Sequence, residues 1–182
     1  LHDREVTYAV ASSDAGVFTE TLRDSYRLVS RALMRGLELM GLDPVMAEES
    51  PPAYVRGTMP CFAYPARDEI EIGGKKIIGS AQKRTGALFL QHGSIPLEKD
   101  EGLLARVAAP RTPSEGETGM TSLSEAAGRP VDFTEASEFM RRGFADFFGV
   151  RLDTYVLSPE DRRAVADLCD TRYASDAWTL RH

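Results

Sequence analysis

Along residues 4–12 apolar and polar side chains nearly alternate through Val, Thr and Tyr, the rhythm of a half-buried strand. After Ser13-Asp14-Ala15-Gly16 the rhythm changes. From Thr19 onward Leu22, Tyr26, Val29, Leu33, Leu37 and Met40 recur at spacings of three and four, which predicts an amphipathic helix. Thr19 is its expected cap, Glu20 complements the dipole in the first turn, and Gly41 stops it. Residues 43–60 hold Pro44, Pro51, Pro52 and Pro60 and read as an extended connection with one short strand. Residues 67–72 alternate again, Gly73-Gly74 makes a two-residue hairpin turn, and 75–82 returns as a strand. A third strand over 87–97 completes a meander. Beyond it come a short helix over 102–106, a loop over 109–120, and a short helix from Thr121 or Ser122 to near Gly128. Asp132 caps a helix carrying Phe133, Phe139, Phe144, Phe147 and Phe148, which read as core, and Ser158-Pro159 opens the last helix. Strands first and helices later predict an α+β fold, with 1–182 as a single domain.

Composition narrows the class. A chain of 182 residues suits one domain with its own core, and the net charge of −6 argues against nucleic acid as a bulk partner. No apolar run approaches the roughly 18 residues of a membrane span, and no secretory signal pattern is present. Cys61 and Cys169 are too few for a disulfide framework, so a reducing cytoplasm is the expected location. The chain enters its first strand directly from Leu1-His2-Asp3, which reads as a truncated polypeptide lacking its N-terminal part.

Candidate chemistry concentrates in residues 61–97. A lone cysteine is most often a small buried hydrophobe. Cys61, however, lies fifteen residues before Lys76, and an ammonium near a thiol lowers its pKa and activates it for nucleophilic attack. Lys76 reads as a lysine with no acidic side chain close by in sequence. Strand alternation sets it opposite Ile77 and on one face with Ile78 and Ser80. The residues alone leave a solvated hairpin lysine and a site lysine equally open. Gly79-Ser80-Ala81 and His92-Gly93-Ser94 put small residues inside strands, where glycine marks close approach of a ligand or another backbone. A lone histidine is more often a satisfied structural residue than a catalyst, but His92, beside a glycine and set opposite Gly79, could orient an acyl carbonyl, and the spacing alone also allows a Cys61–His92 thiol hydrolase. Cys169 reads as structural. Lys75, Lys83 and Arg84 form a basic group beside these residues, and no metal-ligating set is apparent.

LHDREVTYAV at 1–10, CFAYPARDEIEIGGKKIIGSAQKR at 61–84, LQHGSI at 90–95 and RYASDAW at 172–178 resemble the lipoate–protein ligase and octanoyltransferase family of the biotin/lipoyl protein ligase superfamily. The resemblance implies a mixed, mainly antiparallel sheet flanked by helices and a bent acyl tunnel. It implies catalytic roles for Cys61 and Lys76, with Cys61 carrying the acyl thioester as in the octanoyltransferase branch. Acyl or substrate binding is implied for His2, Gly79, Ser80, Ala81, His92 and Gly93. The expected reaction is octanoyl transfer from acyl carrier protein to a lysine of a lipoyl domain, in protein lipoylation. Such a lipoyl domain is that of, for example, glycine cleavage H protein or a 2-oxoacid dehydrogenase acyltransferase subunit. Both partners are acidic as a rule, which makes Lys75, Lys83 and Arg84 an expected docking face. No cofactor is expected. The alternatives are an ATP-dependent lipoate–protein ligase, which would need ATP and Mg, and a non-catalytic subunit that binds acyl groups or lipoyl domains.

Overall fold

The computed structural model describes residues 3–18, 21–49, 67–99 and 119–180. They fall into two compact units, 1–150 and 151–182.

The first unit is built on a five-stranded sheet. Its strands are β1 (Glu5–Ser12), β2 (Val45–Met46), β3 (Ile70–Ile72), β4 (Lys75–Thr85) and β5 (Leu88–Pro96), in the order β1-β5-β4-β3-β2. Every strand pair is antiparallel. The two tight hairpins turn through glycines at positive φ, Gly73 and Gly74 between β3 and β4 and Gly86 between β4 and β5. This is the meander expected from the alternation, with β4 running three residues further than the sequence suggests.

Helix α1 (Leu22–Leu39) lies against one face of the sheet. Its cap is Thr21, whose side chain accepts from the Asp24 amide, so the cap is not Thr19, which lies outside the described residues. The expected helix over 102–106 also lies outside them. Helix α2 spans Leu123–Ala127 and α3 spans Phe133–Phe148. The α1 and α3 backbones meet at two glycines. A Cβ on Gly143 would sit on the Gly36 amide and 2.6 Å from Gly36 Cα, so only hydrogens fit at the crossing.

Val29, Leu33 and Leu37 of α1, Val6 of β1, Ile70 of β3, Ile78 of β4, Phe89 and Ile95 of β5, and Met140 of α3 form the core. Of the five phenylalanines expected there, Phe139 and Phe144 pack against it, while Phe147 and Phe148 stack in an aromatic group with Phe18. Phe133 is exposed, because it opens the helix on its outer side.

The second unit contains α4 (Pro159–Leu168), a π-helical turn (Cys169–Tyr173) and α5 (Asp176–Thr179). Ser158 and Asp161 form a capping box at the start of α4, which fixes that boundary where the sequence predicts it. Cys169 is a free, exposed cysteine. No helix among the described residues is long and apolar enough to cross a membrane.

Candidate active site

The register of β4 decides which side chains share a face. Ile70 pairs with Ile78, but the next residue of β3, Glu71, pairs with Lys76, so Ile77 is an extra residue in β4. A bulge of this kind resets the alternation. Lys76 therefore lies on the face opposite Ile78 and Ser80, not with them as uninterrupted alternation predicts. The same bulge brings it onto the face of Glu69, two residues before Glu71. The ammonium donates to Glu69 Oε1 at 2.6 Å, with the side chains only 4% and 9% exposed. Lys76 is neither a solvated hairpin lysine nor one remote from acids. The hairpin carries an acid seven residues earlier in sequence directly to it. Buried charges need such pairing, because desolvating an unpartnered ion is prohibitive.

The Lys76 backbone is held on both sides. Beyond its pairing with Glu71, its amide donates to Gly119 O and its carbonyl accepts from the Thr121 amide, each at 2.8 Å, in a parallel bridge centred on Met120. This isolated bridge lies outside the pairing of the five strands, whose sheet is antiparallel throughout among the described residues and not mixed as the resemblance implies.

Gly79 pairs with Ser94, and Ala81 with His92, which also faces Ala9 of β1. Lys76, Gly79, Ala81 and His92 thus share one face, floored by small residues and continued by Leu90 and Leu88, both exposed. His92 is exposed and stands opposite Ala81, not opposite Gly79, two residues away along the register. On the same face the Glu5 carboxylate accepts from Ser94 Oγ and from Thr7 Oγ1.

Ser80 and Gly93 pair with each other but belong to the opposite, helix-covered face. A Cβ on Gly93 would collide with Gly79 O and lie 2.6 Å from the Tyr8 ring and 3.0 Å from Ser80 Oγ. The small residue at 93 admits neighbouring protein atoms. Ser80 Oγ lies 2.6 Å from Tyr8 Oη, which accepts from Gln91 Nε2 at 3.2 Å, and Gln82 Nε2 donates to Gln91 Oε1 at 3.0 Å. Ser25 of α1 ends the chain, 3.2 Å from Gln82 Oε1. Burial pushes the Tyr8 phenol up, partly offset by its hydrogen bonds to Ser80 and Gln91. A neutral Tyr8 has one proton to give, and since Gln91 occupies it as acceptor, that proton points at Ser80.

The basic group divides. Lys75 pairs with Glu125 of α2 at 3.6 Å, Lys83 is exposed on the Lys76 face, and Arg84 lies over the Phe89 ring on the helix-covered face. They do not form one docking surface, because Lys75 and Lys83 stand at opposite ends of a long strand. Cys61 and His2 lie outside the described residues.

Residues 1–145 match the family described as Lipoyl protein ligase A/B catalytic domain. The sequence is 36% identical over 193 residues to the octanoyltransferase LipM of Kyrpidia tusciae and 34% identical over 195 residues to that of Brevibacillus brevis. Each match covers 100% of this chain and 70% of the relative. Among solved structures, the bi-partite lipoate protein ligase of Thermoplasma acidophilum superposes with a TM-score of 0.71 at 17% identity. That superposition covers 96% of this chain and 63% of the ligase chain, and it shows the fold alone.

Proposed function

The chain belongs to the Lipoyl protein ligase A/B catalytic domain family, and from that premise we propose that it is an octanoyltransferase of protein lipoylation. The observation that carries this reading is similarity along its whole length to octanoyltransferases, at up to 36% identity. The donor is octanoyl-acyl carrier protein, and the acceptor is a lysine of a lipoyl domain, such as that of glycine cleavage H protein or a 2-oxoacid dehydrogenase acyltransferase subunit.

In this reading the Cys61 thiolate attacks the thioester carbonyl of the donor. A new C–S bond forms, the donor C–S bond breaks, and the carrier leaves as a thiol after taking a proton. The neutral acceptor amine then attacks the enzyme thioester, the C–S bond breaks with Cys61 leaving as thiolate, and the nitrogen releases one proton as the amide forms, replacing the proton taken up by the carrier thiol. Energy comes from the donor thioester, so neither ATP nor Mg is required. Lys76 supplies the positive charge that stabilises the anionic sulfur and the oxygen of the tetrahedral intermediate. Its buried pairing with Glu69 supports this role, because it holds an ammonium on the same face as Gly79, Ala81 and His92. The small floor of that face suits an unbranched acyl chain.

The test is mass spectrometry of the full-length protein after incubation with octanoyl carrier protein and no ATP. One octanoyl mass should appear on the Cys61 peptide, leave on hydroxylamine treatment and discharge onto added lipoyl domain. Cys61→Ser should abolish the adduct. A requirement for ATP with free octanoate would favour a ligase, and an adduct on Cys169 would displace Cys61 as the nucleophile.

A further inference from the structure

We propose that Asp68 is a positioning residue: its left-handed turn, clamped by Arg23 and Arg27 of α1, aims Glu69 at Lys76 and so fixes the buried ammonium on the face of the sheet away from α1. The inference rests on the reading of Lys76 as a site residue. Asp68 is the one non-glycine residue at positive φ, 69°, among those described. Side-chain-bearing residues disfavour that region, Asp less than most, and they stay there only where the surroundings over-determine them.

Here five contacts do so. Arg23 Nε donates to Asp68 Oδ2 at 2.8 Å, and its Nη2 reaches Oδ1 at 3.4 Å. Arg27 Nε stands 3.5 Å from Oδ1. The Asp68 amide donates to Ala47 O at 2.9 Å, and the Ala47 amide donates to Glu69 O at 2.8 Å, which pins the backbone on both sides of the turn. Arg23 and Arg27 are one helical turn apart and so share a face of α1. A glycine would make the same turn at no steric cost. Aspartate adds a link from the helix layer to the residue that holds the buried lysine. Helix α1 thereby reaches through the sheet edge to a side chain it does not cover.

The experiment compares the full-length wild type with Asp68→Ala, Asp68→Asn, Glu69→Gln and the Asp68→Ala/Glu69→Gln pair. It reads kcat and KM for octanoyl transfer, the thermal midpoint, and labelling of Lys76 by an amine-acylating reagent, with Lys75 as internal control. Asp68→Ala and Glu69→Gln should each lower kcat by on the order of 10- to 100-fold with KM unchanged, as expected of a misplaced catalytic group. The pair should be no worse than its worse member. Lys76 labelling should rise in these variants while Lys75 labelling does not. Asp68→Asn keeps the turn and an acceptor for Arg23, and should recover most of kcat. Wild-type kcat and Lys76 labelling in Asp68→Ala, or losses that multiply in the pair, would overturn the proposal. If Asp68→Ala does not fold, Arg23→Gln/Arg27→Gln leaves Asp68 in place and carries the same expectation. A wild type with no octanoyl transfer counts against the octanoyl reading, while the labelling comparison still decides the positioning.

Discussion

Gly93 has a hydrogen where β5 has no room for a methyl, since Gly79 O, the Tyr8 ring and Ser80 Oγ already occupy the space. Two of those neighbours sit in sheet backbone or a buried ring and cannot swing away. Gly93→Ala should therefore destabilise the protein by about 1–3 kcal/mol, the usual cost of overpacking, measured by chemical denaturation. Lys76 labelling should stay at its wild-type level, because residue 93 faces the other side of the sheet. From sequence, Gly93 is legible as a point of close approach but not what approaches it. The face assignment depends on register, and register is a pairing property invisible in one strand. Glu69 escapes sequence reading for the same reason. Seven positions from Lys76 it is distant along the chain, and only the two-residue hairpin plus the Ile77 bulge makes the two side chains neighbours.

At the scale of elements, α2 is tied down by its acid. Glu125 Oε2 accepts from Lys99 at 2.7 Å and from Thr121 Oγ1 at 3.0 Å, with Lys75 beside it. The Lys99 hydrogen bond, opposed in part by burial and helped by Thr121, holds its carboxyl below the usual value. A depressed folded pKa means stability that is fully present above the unfolded value, near about 4.3, and lost as pH falls through the folded one. The thermal midpoint of the wild type should thus exceed that of Glu125→Gln at about pH 6, and the two should converge near about pH 3. Sequence serves the elements well where periodicity is long: α1, α3 and the β3–β4–β5 meander follow from spacing and glycine turns. The bulge does not, because Ile77 and Ile78 are both β-branched and apolar, and a strand reads the same with or without an inserted isoleucine.

At the scale of the molecule, the two faces of the sheet have different tasks. One is packed under α1, with a buried hydrogen-bonded chain from Ser25 to Ser80. The other presents Ala81, Lys83, Leu88, Leu90 and His92 at the surface beside Lys76. Leu90→Glu should leave stability within about 0.5 kcal/mol, as for most surface substitutions, yet lower octanoyl transfer by placing a carboxylate on the surface assigned to an apolar chain. Unchanged transfer kinetics would remove that face from the acyl path. The separation of tasks hangs on one residue. Because β4 changes phase at Ile77, its two halves obey opposite parity: even positions after the bulge face α1, while the even position before it, Lys76, lies on the other face. Deleting Ile77 would leave Lys76 stepping directly from Ile78, still opposite Glu71 and still on the face away from α1. Regular pairing with Ile77 retained would instead put Ile77 opposite Glu71 and Lys76 opposite Ile72, turning the ammonium onto the helix-covered face, so the spelling of this strand is a length code as much as a residue code.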